Sequence, residues 1–131
     1  PGEMVAHAAE LMKKENVGAL PVVRDRRDRV VTGILTDRDV ALRVDAMGKD
    51  SRQTTVEQVM SRNPVTCKPE EDCEKAFEMM TRHHIRRLPV VDAQGKLLGV
   101  IAQADLAHAL AKPEALARLM SAAPLARKSA V

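Results

Sequence analysis

The chain contains the same pattern twice. Val17-Gly18-Ala19-Leu20-Pro21-Val22-Val23 returns as Ile85-Arg86-Arg87-Leu88-Pro89-Val90-Val91, 68 residues on. Ala8 and Met12 recur in step as Ala76 and Met80. Downstream, Gly33-Ile34-Leu35-Thr36-Asp37-Arg38-Asp39 returns as Gly99-Val100-Ile101-Ala102-Gln103-Ala104-Asp105 at a spacing of 66, so the second copy has a turn two residues shorter. A duplication of this length fixes the architecture before any single residue is considered. It also marks the cleft between like units as the place for a ligand.

Each copy reads helix–strand–strand–helix. Val5, Ala8, Ala9, Leu11 and Met12 make one apolar face over 4–14, and Cys73, Ala76, Phe77, Met79 and Met80 do so over 73–82, with Asp72 as N-cap. Leu20–Val23 and Leu88–Val91 read as strands whose prolines mark a strand start or an edge. Polar turns at 24–29 and 92–96 lead to second strands at 30–35 and 96–101, then to helices at 37–44 and 104–111. Thr54–Met60 reads as a short capped helix and Pro64–Cys67 as a brief strand that leads into the second copy. The first copy has no counterpart of that strand in this sequence. The expected organisation is a first repeat over 1–50, a second over 54–111, and a helix and tail over 112–131. The stretch 121–126 echoes the leading segment and could lie near the first sheet's edge.

Composition excludes several classes. A net charge of +3, one phenylalanine and no tryptophan or tyrosine give nucleic acid neither a strong field nor a stacking surface. No apolar run is long enough to cross a membrane and no signal peptide is visible. Cys67 and Cys73 read as reduced, buried thiols in a cytoplasmic protein. His7, His83, His84 and His108 have no metal-ligand spacing. No nucleophile motif, phosphate loop or catalytic carboxylate pair is present, so no catalytic residue is assigned.

Two features carry chemistry. Thr36-x-x-Asp39 follows a strand and opens a helix. As a capping box it only stabilises the helix start; as a hydroxyl and carboxylate at a helix start it suits a sugar diol and a phosphate. Taken alone, the cap reading is favoured. Ala102, which cannot cap, weakens it, because Asp105 is nonetheless present. Arg86-Arg87 is the second feature, either a solvated basic corner or an anion clamp. The first copy has Gly18 and Ala19 there.

The helix–turn–Leu-Pro-Val-Val blocks, the hairpins to Gly33-Ile34-Leu35 and Gly99-Val100-Ile101, and the turns ending at Asp39 and Asp105 resemble a tandem CBS domain pair, or Bateman module. Val59–Thr66 resembles the family's leading segment. The resemblance implies an α/β (α+β) fold of two pseudo-symmetric repeats, each a small sheet flanked by helices, packed face to face and often paired as homodimers. It implies an adenosine-containing ligand (AMP, ADP or ATP) in the inter-repeat cleft. Carried over, one site comprises Thr36, Arg38, Asp39, Asn63, Pro64, Val65, Ile85, Arg86 and Arg87. A weaker site comprises Val17, Gly18, Ala19 and Asp105. The implied function is a non-enzymatic regulatory module acting on an unidentified effector protein; the alternative is a dimerisation or interaction scaffold with vestigial pockets. A homodimer is expected on helical faces that include Met79, Met80, Ala107 and Leu110.

Overall fold

Both copies break their first helix by the same device. In the computed structural model, which describes residues 1–111, α1 (Val5–Glu15) ends at Asn16 with φ 53°, and α4 (Cys73–His83) ends at His84 with φ 53°. These left-handed caps bring Val17 N–H to the Met12 carbonyl at 3.0 Å and Ile85 N–H to the Met80 carbonyl at 2.9 Å. The chain is thereby turned into the strand that follows. Asp72 caps α4 as expected, its side chain accepting from Glu74 N–H at 2.8 Å.

The first unit, 1–64, holds β1 (Ala19–Val23), β2 (Val31–Thr36), α2 (Asp37–Val40), a π-helical turn (Ala41–Asp45), α3 (Val56–Val59) and β3 (Ser61–Arg62). Its sheet has the order β1-β2-β3, all antiparallel. The second unit begins at Val65 and holds α4, β4 (Arg87–Val91), β5 (Leu97–Ala102) and α5 (Gln103–Ala111). Here β4 pairs antiparallel with β5, and Cys67 forms a parallel bridge to Val90. Both hairpins carry a bulge at the same place, Val22/Val23 and Val90/Val91. The mixed α/β reading therefore holds, and the four hairpin strands end within a residue of the expected bounds. The strand expected over Pro64–Cys67 is reduced to the single Cys67 bridge, and the unexpected strand Ser61–Arg62 pairs with β2 instead.

Pro21 and Pro89 lie inside their strands rather than at the start. β1 is an edge strand, where a residue without an N–H is tolerated. Among the described residues, β1 has no counterpart of the Cys67 bridge.

The packing boundary differs from the repeat boundary. Repeat phase places 54–64 with the second copy, but Val56, Val59 and Met60 fill the core built from Val5, Ala8, Met12, Leu20, Val22, Leu35 and Val44. The main chain holds them there. Val5 N–H donates to the Thr54 carbonyl at 2.9 Å, and Val56 N–H donates to the Glu3 carbonyl at 2.8 Å. Thr55 and Gln58 close a capping box on α3.

The second core joins Cys67, Cys73, Ala76, Met80, Leu88, Val90, Ile101 and Leu106. Met80 is fully buried there, so it cannot belong to a dimer face. Met79 is half-buried and Ala107 exposed. The surroundings of Leu110, and the tail over 112–131 with its echo at 121–126, lie outside the described residues.

Burial in an apolar core disfavours the thiolate and pushes Cys67 up to about 12, with Glu71 and Cys73 adding to it. Cys73 is raised as well, by burial and then by Asp72. The ordinary thiol value is 9.0, so above that pH the unfolded chain releases a proton that the folded chain keeps. Stability from this group is complete below pH 9 and drains away as pH rises toward 12. Thermal melts of wild type and Cys67→Ala across that range should show a steeper fall for wild type; parallel curves would refute it.

Candidate functional site

The turn between β2 and α2 is held by its own side chains. Thr36 is extended, with φ −113° and ψ 161°, and its Oγ1 accepts from Asp39 N–H at 3.1 Å. Asp39 Oδ2 accepts in return from Thr36 N–H at 2.9 Å. The capping box is thus complete, and it buries Asp39 to 9% exposure. The other carboxylate oxygen, Oδ1, lies 3.6 Å from Arg43 Nε. Arg38 projects from the same turn and is exposed.

The start of β1 lies alongside this turn. Ala19 pairs with Thr36, and the Gly18 carbonyl accepts from Asp37 N–H at 2.9 Å. A Cβ on Gly18 would come to 3.0 Å from Asp37 Oδ2. A glycine is therefore suited to this corner, which is small and acidic.

The second unit repeats the geometry with different chemistry. Arg87 pairs with Ala102, and the Arg86 carbonyl accepts from Gln103 N–H at 2.7 Å. Glycine and aspartate have become arginine and glutamine, so this corner is basic. Arg86 is exposed, Arg87 and Ile85 half-buried, and Asp105 exposed. Ala102 has no hydroxyl, so the cap that buries Asp39 has no equivalent at Asp105.

The structure thus brings Thr36, Arg38 and Asp39 together in the first unit, beside Val17, Gly18 and Ala19. In the second unit it brings Ile85, Arg86 and Arg87 beside the turn that leads to Asp105. Asn63 and Pro64 end the first unit, Asn63 exposed with φ 50°, and Val65 opens the second. Sequence reasoning missed Asp37, Arg43 and Gln103. Arg43 stands four residues after Asp39 on a helical run, a spacing that signals an acid–base pair. Among the described residues no group of three or more histidine, cysteine or acidic side chains could hold a metal ion. No helix among them is long and apolar enough to cross a membrane.

Thr36→Ala removes the acceptor for Asp39 N–H and should cost about 1 kcal/mol of stability. Urea unfolding measures it. An unchanged midpoint would mean that the cap contributes nothing.

The model of the CBS domain matches residues 1–45 and 56–112. The chain is 49% identical over 107 residues to the CBS domain-containing protein YhcV of Bacillus subtilis, covering 82% of this chain and 73% of that protein. It is 30% identical over 108 residues to hypoxic response protein 1 of Mycobacterium tuberculosis, with coverage of 82% and 73%. Among solved structures it is similar to CBSX2 of Arabidopsis thaliana in complex with AMP. There the TM-score is 0.73 at 29% identity, over 87% of this chain and 86% of that one.

Proposed function

Because this chain belongs to the CBS-domain family, with two copies of the domain, we propose that it is a non-enzymatic regulatory module that binds an adenosine phosphate and acts on a partner protein. The observation that carries this is the state of Asp39. It is a buried carboxylate with Oδ2 spent on its own backbone and Oδ1, which among the described residues has only Arg43 Nε at 3.6 Å beside it, open to a sugar hydroxyl. Thr36 and Arg38 stand at the same turn. The likeness to a protein solved with AMP supports the ligand class. Asn63, Pro64, Val65 and Ile85 are assigned to the adenine, and Arg86 and Arg87 to the phosphates, whose oxygens suit guanidinium forks. The ligand is AMP, ADP or ATP, and none is required for folding.

The satisfied capping box also favours a second reading. Asp39 has a complete structural reason to be where it is, so the pair could serve as an interaction scaffold between copies of this chain.

Calorimetric titration with AMP, ADP, ATP and S-adenosylmethionine separates the two. A ligand held only by the folded state stabilises it by about 1.4 kcal/mol at a tenfold excess over its dissociation constant. At least one adenosine phosphate should bind and raise the melting temperature. No heat and no shift at millimolar concentration would leave the scaffold reading in place.

A further inference from the structure

Arg43 plays no part in the ribose reading, yet it touches the atom on which that reading depends. It lies in the π-helical turn, where the Ala46 N–H reaches back five residues to the Ala41 carbonyl. Single π turns of this kind are often placed at functional positions. The guanidinium stands between two oxygens, ion-paired with one and hydrogen-bonded to the other. Nε lies 3.6 Å from Asp39 Oδ1, and an Nη donates to the Val59 carbonyl at 2.7 Å. Val59 is the last residue of α3, and its carbonyl is one of the acceptors that a helix end leaves without an internal partner. The planar fork of arginine can hold both at once, whereas the single ammonium of lysine cannot match its geometry.

The two oxygens of Asp39 therefore have separate partners. Oδ2 is fixed by Thr36 N–H, and Oδ1 is shared between Arg43 and whatever else approaches. We infer that Arg43 is a positioning residue for Asp39 and the link through which occupancy of that carboxylate reaches the α3–β3 segment. This rests on the reading of Asp39 as the ribose acceptor and extends it to what binding changes.

A ribose hydroxyl donating to Oδ1 displaces Nε. The guanidinium then loses the anchor that orients it, and its hold on the Val59 carbonyl loosens. Arg43 is about half exposed, so what it contributes is orientation more than Coulomb energy. The segment it holds is slight. β3 meets β2 only at Gly33↔Arg62 and Ile34↔Ser61, and the Met60 N–H that closes α3 reaches the Val56 carbonyl at 2.9 Å. Through Asn63 and Pro64 the same segment runs on into the second unit.

Amide hydrogen exchange at residues 60–62 tests the link, referenced to the amides of α1. In ligand-free protein, Asp39→Asn and Arg43→Gln should each speed exchange there several-fold, and the double variant should be no faster than either. Arg43→Lys should be as fast as Arg43→Gln. AMP should speed exchange at 60–62 in wild type while leaving α1 unchanged, and should have no such effect on Arg43→Gln. The link is overturned if Arg43→Gln exchanges like wild type, if the two single effects multiply in the double variant, or if bound AMP leaves 60–62 unchanged. Should Arg43→Gln loosen α1 as well, Asp39→Asn against Asp39→Asn/Arg43→Lys decides by the same rule. If AMP fails to bind wild type, the ribose reading falls, and the ligand-free variants still decide the link.

Discussion

Asp39→Ala should abolish adenosine-phosphate binding, a loss of more than about a hundredfold in affinity. A hydrogen bond to a charged group contributes about 1.5–3 kcal/mol, and at the upper end of that range one such bond from a ribose hydroxyl to the buried Oδ1 gives this size of effect. The substitution also strips Thr36 N–H of its acceptor and Arg43 of its anion, so the variant should lose about 1 kcal/mol of stability as well. The comparison with Asp105→Ala makes the result specific. Asp105 is exposed and follows Ala102, so its removal should leave AMP affinity within about twofold. Calorimetry on both variants, at temperatures where each is folded, reads the difference. Loss of binding with Asp105→Ala alone would move the site to the other unit. Equal loss with both would mean two equivalent sites.

Gly33→Val should destabilise the first unit by about 3 kcal/mol, at the upper end of the usual cost of overpacking. A Cβ at Gly33 would lie 2.5 Å from Met60 Sδ and 2.9 Å from the Ser61 carbonyl oxygen. The thioether can swing aside, because methionine is pliable. The carbonyl belongs to β3 and cannot move without losing its pairing to β2. The branched side chain should therefore lift Ser61–Arg62 off the sheet and expose Val59 and Met60. Urea unfolding measures the cost. A variant as stable as wild type would show that β3 contributes nothing to the first unit.

The elements were legible because each is short, strongly patterned and present twice. The hairpins, the Asp72 cap and the Thr36–Asp39 box follow from residue type and spacing alone. What the repeat could not reveal is which core a segment fills. Val56, Val59 and Met60 have the same apolar spacing whichever unit covers them, and only the hydrogen bonds of Val5 and Val56 to the main chain decide it. Met79 and Met80 posed the same difficulty. Neighbouring helical positions lie about 100° apart, and a pattern of apolar residues shows a face without showing how much of it is covered. At the candidate site, the acid was readable and its partners were not. Arg43 lies beyond the motif, and the place of Asp37 against Gly18 depends on how the strand start meets the helix turn.

The two turn aspartates answer to different pressures. Asp39 is wanted by the backbone it caps whether or not anything binds, so Thr36 and Asp39 are tied to each other as a pair. Asp105 has no such claim on it among the described residues. In a randomised library screened only for folded protein, the first pair should survive together while position 105 drifts freely. Retention of an acid at 105 under a screen for activity in cells would then be a direct readout of a ligand or partner, undiluted by the needs of the fold.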